Sequence, residues 1–544
     1  MRRDSSRFAA VVFAALGVWA GIGVARGYGV GPALSVEELA ADADVIFKGK
    51  AVSSGLVDDA WFKPLSGFVA RETGFTVISV LKGDPSGGSL RFRHYDASPQ
   101  PEGRIFQPQH YRFVIGRDYL VFAKRSENAG SYRQCRANHT ARPDQGVLLC
   151  SDDQPVVARK VKEAIWSELN RLLKSSTAGD AEYAIGQLDG MSGGGPEFAR
   201  TRDFDRTNAL SAIRPLMAAS NSKVALAAIT AVGSYNPYMS DERALYWLAA
   251  VASAEIPGIG KMGSKVKNVG GELYWKELTA LADSGAAGEI RASAVRALGL
   301  VREPALENSI GRWLTDRAVA VRASATLLLA DFPGRETGTR LTGLANDAAP
   351  EVRIGVAHAA GFGQRVELGD VLAKMLNDEE PGVREAAAMS LLSCSPTNVA
   401  IAGVFRANLG NEEFKPLFLL ALARDNPADY LDGLAAAVEQ KTEPRHFWGG
   451  QIPAFTAWEI LFKYLQALPP PTVSSGKMDR YLDAMEKVGN YSSSEPRDIY
   501  AFYLQRGMVE RARRYREGAR KGVSYDLDYH FKQVDENPAS FRRQ

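Results

Sequence analysis

Six histidines and three cysteines carry most of the reactive chemistry in this 544-residue sequence. His94, His110 and His139 fall in one N-terminal stretch, with Asp96 beside the first. Three imidazoles and a carboxylate bind a divalent cation when a fold gathers them. Their spacings match neither a pair four apart on one helix face nor a hairpin ligand pattern. Ordinary strand or surface histidines are the competing reading, so no metal ligand is assigned. Cys135 and Cys150 lie in the same stretch and Cys394 stands alone far downstream. In an oxidising compartment Cys135–Cys150 is expected to form a disulfide, contributing about 3 kcal/mol for a loop of that size. Two unpaired thiols are the alternative. Cys394 reads as a small core residue, and no cysteine spacing suits zinc. No Gly-x-Ser-x-Gly, P-loop or Gly-x-Gly-x-x-Gly signature has a convincing context. No catalytic residue, cofactor-binding residue or cofactor is therefore assigned.

Charged residues at a fixed interval give the strongest signal. Arg291, Arg322, Arg353 and Arg384 each follow the last by 31 residues, and Asp316, Asp347 and Asp378 precede their arginines by six. Asp283 is the shifted equivalent in the first copy. A constant period in this range marks a stacked array. Ile310, Trp313 and Leu314 recur as Leu341, Leu344 and Ala345, then as Leu372, Met375 and Leu376. This i, i+3, i+4 spacing is one buried face of a helix. Val321, Ala325, Leu328 and Leu329 form the face of a second helix. Ser293, Ser324, Gly355 and Ala386 keep neighbouring helices close, and Pro350 and Pro381 fit a first helical turn. Each unit reads as a helical hairpin that buries its faces only by stacking. His358 shares a column with Arg296, Leu327 and Met389, and a column this variable predicts a surface or half-exposed position.

The pattern Asp, then Val-Arg-x-x-Ala, at this period resembles HEAT repeats, particularly the short bacterial form also seen in phycobilin lyases. The resemblance implies an α-solenoid in which Arg and Asp make a structural ladder between adjacent repeats. The ladder would comprise Arg291, Arg322, Arg353, Arg384, Asp316, Asp347 and Asp378. Weaker copies extend it, with Val224–Ala228 as a second helix and 241–252 as a further helix. A Gly- and Lys-rich insertion spans 256–271. After Ser395-Pro396 the phase slips, but 412–423 and 428–439 keep a helical pattern.

The elements before the array differ. Ser35 and Glu38 form a capping box on a short helix. Residues 45–52, 75–81 and 90–95 read as strands, and 111–115 and 119–123 as a hairpin around Gly116-Arg117-Asp118. Four to six strands predict a small barrel or sandwich. Ala43–Lys50, Val80-Leu81-Lys82-Gly83 and Gly116–Phe122 together resemble the OB-fold-like domain of the netrin and metalloproteinase-inhibitor group. Inhibitors of that group use an N-terminal cysteine that this sequence lacks, so inhibitory chemistry does not carry over.

Arg2, Arg3 and Arg7, an uncharged run from Phe8 to Val24 and small residues thereafter have the layout of a cleaved signal peptide. A retained anchor is the alternative. No later stretch is long and apolar enough to span a bilayer. The net charge of +3 is too small to argue for a nucleic-acid partner. Arg511, Arg513, Arg514, Arg516, Arg520 and Lys521 form the most basic cluster, read as a solvated helix face with intrahelical ion pairs.

The expected fold class is therefore α+β multidomain and mainly α. It comprises a signal peptide (1–27), a β-rich OB-fold-like domain (33–155), a helical linker (156–200), a HEAT-type solenoid (201–440) and a helical C-terminal cap rich in aromatics such as Phe447, Trp448 and Trp458 (441–544). The expected function is an exported, non-catalytic scaffold, periplasmic or extracellular, binding a protein or peptide on the solenoid surface. A lyase-like enzyme and an extracellular protease inhibitor are the alternatives.

Overall fold

The computed structural model describes residues 33–537, apart from 98–106, 195–199, 234–236, 240–267, 395–397, 440–451, 487–493, 520–526 and a few shorter stretches. The signal segment 1–27, the helix at 241–252, most of the Gly- and Lys-rich insertion and Phe447-Trp448 lie outside the described residues. Chain contacts divide the molecule into two compact units. Among described residues the first holds 33–239 and 268–359, and the second holds the chain from 360 onward.

The first unit opens on α1 (Val36–Asp42), where Ser35 and Glu38 form the expected capping box. Eight strands follow: β1 (Val45–Leu56), β2 (Phe68–Lys82), β3 (Ser89–Ala97), β4 (Gln107–Pro108), β5 (Asp118–Arg125), β6 (Ser131–Gln134), β7 (His139–Thr140) and β8 (Val147–Leu149). Six of them form one sheet in the order β1-β2-β3-β6-β5-β8, while β4 pairs with β7. β1 also pairs antiparallel with β5, from Val45–Ala123 to Lys50–Asp118. The pairings therefore run β1-β2-β3-β6-β5 and back to β1. The parallel β3–β6 segment spans only Arg91–Arg93 against Ser131–Arg133, so the circuit is thin there and not a fully closed barrel. Alternation places Val45, Phe47, Phe75, Phe92, Tyr119 and Val121 in its core, where Phe47 and Phe75 meet edge to face at 5.5 Å.

Residues 111–115, expected as a strand, are irregular. Their polar groups are spent elsewhere. The Tyr111 amide donates to the Tyr95 carbonyl, its hydroxyl to the Gln145 carbonyl at 2.5 Å, and the Val114 amide to the Tyr119 hydroxyl. The partners of β5 are β1, β6 and β8 instead.

Helices take over from residue 161. They are α2 (Val161–Leu172), α3 (Ala178–Met191), α4 (Arg206–Ile213), α5 (Ser222–Val232), α6 (Val269–Ala282), α7 (Gly288–Ala297), α8 (Leu306–Trp313), α9 (Val319–Leu328), α10 (Arg335–Leu344) and α11 (Pro350–Phe362). α3, α5, α7 and α9 pack side by side in sequence, while α6 pairs with α7 and α8 with α9. That is the arrangement of stacked hairpins whose apolar faces are covered by their neighbours. The small-residue column has a direct cause at Gly355, where an added Cβ would lie 2.9 Å from the Ala323 carbonyl oxygen.

In the second unit, α12 (Gly369–Met375), α13 (Pro381–Ser393), α14 (Val399–Ala407), α15 (Lys415–Asp425), α16 (Leu431–Glu439) and α17 (Ile452–Ala467) continue in pairs. Past Pro469 come α18 (Pro470–Val473), α19 (Asp479–Glu486), α20 (Ser494–Gln505), α21 (Val509–Ala519) and α22 (Leu527–Glu536). They close around Trp458, Phe462, Phe502 and Phe531. Among the described residues no helix is long and apolar enough to cross a membrane.

Candidate functional site

Each arginine of the repeat holds the turn of its own hairpin. The guanidinium of Arg322 donates to the Asp316 carbonyl at 2.9 Å, Arg353 to the Asp347 carbonyl at 2.9 Å and Arg384 to the Asp378 carbonyl at 3.0 Å. The arginines also reach forward to the next copy's carboxylate. Arg291 makes a bidentate pair with Asp316 at 2.6 and 3.1 Å, and Arg322 meets Asp347 at 3.4 Å. Hydrogen bonding to Arg291 holds the Asp316 carboxyl below the usual carboxylate range. The aspartates have a second task, because their Oδ1 atoms accept the Ala318, Ala349 and Glu380 amides that open the following helices. One carboxylate thus closes the Asx turn that leads into a helix and, at Asp316 and Asp347, ties two hairpins, a turn that suits the short side chain of Asp.

At both ends of this series the pattern changes. Asp283, the shifted copy, accepts from the Trp313 indole at 2.7 Å and from Arg312 at 2.8 Å. One period beyond Asp378 stands Leu409, and Arg384 pairs with Glu413 at 2.9 Å instead. The phase slip hides this substitute from a search at constant interval.

The first-helix faces divide sharply. The columns Ile310, Leu341 and Leu372 are buried, whereas Asn308, Thr339 and Asp370 are exposed, as are Arg312, Gly343 and Lys374. Each first helix thus sets a buried column beside exposed positions whose residue type differs from copy to copy.

Residues 156–200, expected as a helical linker, hold α2 and α3, both bonded to the β region. Lys48 of β1 is fully buried, with its Nζ donating to the Gln154 carbonyl at 2.8 Å, to Glu168 of α2 at 3.0 Å and to Asp152 at 3.4 Å. Arg171 completes the set, reaching Asp152 at 3.0 Å and Glu168 at 3.2 Å. Lys48 and Glu168 neutralise each other where neither charge tolerates isolation, and the partly exposed Asp152 and Arg171 complete the network. Arg117–Asp180 at 2.7 Å, Arg142–Gln187 at 2.8 Å and the Leu149 amide on the Tyr183 hydroxyl fasten α3. The β region and the first helical pair share one interface. Sequence reading passed over Lys48 because its partner lies 120 positions away.

The expected Cys135–Cys150 disulfide is corrected by the structure, where both thiols are free and buried. They follow β6 and β8, which pair with opposite ends of β5. The Cys135 thiol faces the Phe122 carbonyl and the Cys150 thiol the Leu148 carbonyl. Burial pushes Cys135 up to about 12 and Cys150 well above the ordinary thiol value. Cys394 is also buried, and its thiol is raised to about 12.

Among the described residues the histidines do not gather. His94 is buried, bonded through Nδ1 to the Tyr95 carbonyl and through Nε2 to the Thr73 hydroxyl, both at 2.9 Å. Its ring stacks on Phe92, and burial lowers its pKa to about 4. His110 bonds the Pro108 carbonyl and packs on Phe68, and Asp96 pairs with Arg71 at 2.9 Å. The His139 side chain lies outside the described residues. Among those described, no group of three or more metal-ligating side chains is placed to hold an ion. His358, expected at or near the surface, is fully buried within α11 beside Ala357 and Ala359. Leu327, in the same column of the first unit, is buried as well.

In the basic cluster, Arg513 makes the expected intrahelical pair with Glu510. Arg511 and Arg516 reach across helices instead, to Asp479 and Glu486 and to Asp535. Arg520 and Lys521 lie outside the described residues.

No protein-family model matches the chain, and no curated protein matches it. Among solved structures it is similar to an engineered protein from a structural genomics consortium, at 15% identity over 69% of this chain and 98% of that one, with a TM-score of 0.29. It is also similar to the S. pombe condensin Cnd3-Cnd2 subcomplex, at 15% identity over 69% and 57% of the two chains and a TM-score of 0.29. The Pds5-Scc1 complex gives 13% identity, 71% and 76% coverage and a TM-score of 0.26. Scores this low carry no argument about fold or function, so the evidence for a mainly helical, repeat-built chain with an N-terminal six-stranded sheet is its own helix pairs and strand pairings.

Proposed function

We propose that this chain is an exported HEAT-type scaffold that binds a protein or peptide and catalyses nothing itself. The observation that carries the reading is the division of labour within each repeat. The recurring Arg and Asp groups are spent on hairpin turns and rungs, while Asn308, Thr339 and Asp370, with Arg312, Gly343 and Lys374, present a different polar surface in each copy. A constant frame under a varied surface suits recognition of a specific macromolecule. We read the strand circuit as an OB-type arrangement, supported by its order and by the parallel β3–β6 pair. Its role in this reading is to cover the first helical pair, the terminal face that a repeat array must close. Export rests on the Arg2, Arg3 and apolar N-terminal pattern.

The test is affinity capture from the cell envelope with the wild-type chain and with an Arg312→Glu, Lys374→Glu variant. A partner retained by the first and lost by the second supports the scaffold reading. Recovery of the same set by both, or of none, contradicts it. N-terminal sequencing of the mature chain tests export, with a start near residue 26 or 28 expected.

A further inference from the structure

β1 is paired on both edges only as far as Lys50. Its β5 ladder ends at Lys50–Asp118. One residue on, the Ala51 amide donates to the Arg117 carbonyl and the Gly116 amide to the Ala51 carbonyl. From Ser53 to Leu56 the strand keeps its β2 partner, but among the described residues no backbone group meets it from the other side. The phase of this open edge follows from the Val57 amide, which donates to the Ala70 carbonyl of β2. In an antiparallel ladder alternate residues face alternate sides. Residues 53, 55 and 57 therefore face β2, and the amides and carbonyls of Ser54 and Leu56 point outward.

The edge lacks the usual guards. Val52-Ser53-Ser54-Gly55-Leu56 has no charge and no proline, and proteins ordinarily protect such edges with one or the other. Its one irregularity is a bulge at Val52. Leu56 is 73% exposed and Val52 51%, and Val114 and Ile115, next to the turn that bonds Ala51, are more than half exposed as well.

We propose that this edge pairs antiparallel with the same strand of a second copy of the chain, about a two-fold axis at Gly55. The outward groups of Ser54 then meet those of Leu56 in the second copy, and the reverse, so every open donor and acceptor is matched. An added Cβ at Gly55 meets nothing within 4 Å, so the sheet face at the axis is uncrowded. The register sets Asp58 of the second copy opposite Val52, two residues from Lys50, so acidic and basic ends alternate across the axis. The neutral central residues add no repulsion, and Leu56 and Val52 shield one another. A five-residue edge falls below the area of a permanent dimer, so the pairing depends on concentration.

Sedimentation velocity of the purified chain across a concentration series tests this. The wild-type mass is expected to rise toward twice that of one protomer. Ser54→Pro removes an amide that β1 does not use within its own sheet, and it weakens association by about tenfold or more. Leu56→Lys keeps the backbone intact, guards the edge with a charge and produces the same loss, so it decides the matter if the proline variant fails to fold. Val399→Lys, at an apolar residue 82% exposed in the second unit, leaves association unchanged. A wild-type chain that stays one protomer at every concentration overturns the proposal, as does a dimer that survives both Ser54→Pro and Leu56→Lys.

Discussion

Replacing Lys48 by methionine tests how the β region is held to the helices. The substitution keeps the volume of the buried stem and removes its charge. Glu168, itself fully buried, loses its 3.0 Å partner, and Asp152 loses a weaker one. Removing one member of a buried pair costs about 3–5 kcal/mol. Arg171 still reaches Glu168 at 3.2 Å, which places the cost near the lower end, about 3 kcal/mol. At 1.4 kcal/mol per decade, local opening should rise on the order of a hundredfold. A chain of this size need not unfold in one step, so the assay is site-resolved hydrogen exchange in β1 and α2. Both elements should accelerate together. The double variant Lys48→Met, Glu168→Leu should recover most of the protection, because an apolar pair of similar volume replaces the ions. If exchange in α2 stays within about threefold of wild type in Lys48→Met, the interface does not depend on this network and the reasoning fails.

Three further predictions follow from buried or bonded groups. His94 is neutral when folded, with a pKa of about 4 against an ordinary 6.5. It is neutral in both states above pH 6.5. Below that the unfolded chain takes up a proton first, so β-region stability falls by about 3 kcal/mol between pH 6.5 and 4 and then levels off. Exchange in β2 and β3 at pH 7 and pH 5 checks this, and a His94→Gln chain should lack the dependence. Cys135, Cys150 and Cys394 should resist iodoacetamide until the chain is denatured, and reductant should leave stability unchanged; rapid labelling of the folded chain contradicts their burial. Asp316→Ala removes an Asx turn and a rung together and should cost about 2 kcal/mol, read as faster exchange in α7 and α9. Asp316→Asn keeps the turn and should cost less, so equal losses would dismiss the turn.

What was legible in the sequence was what repeats or stays local. The Arg and Asp columns could be read because stacked copies meet one constraint at one interval, and the Ser35–Glu38 box because its partners are three residues apart. Lys48 and Glu168 were not legible, since a solitary lysine in a strand carries no sign of a carboxylate brought in from a distant helix. The cysteines misled because spacing gives loop length but not which ends of β5 the flanking strands occupy. Tyr111 and Phe113 alternate as a strand does, yet Tyr111 is held by single bonds to Tyr95 and Gln145. His358 looked exposed because its column varies, but columns between helices also vary when the neighbouring side chains adjust.

The scaffold reading is tested most directly by photocrosslinking in cells, with a reactive residue placed singly at Arg312, Gly343 and Lys374. Val157, the most exposed apolar residue of the segment between the sheet and α2, serves as the comparison position. Discrete adducts to one protein from the first-helix positions, and none from position 157, are the predicted result. Adducts from position 157 alone, or none from any position, would contradict the claim that the varied face of the repeats is where this protein binds its partner.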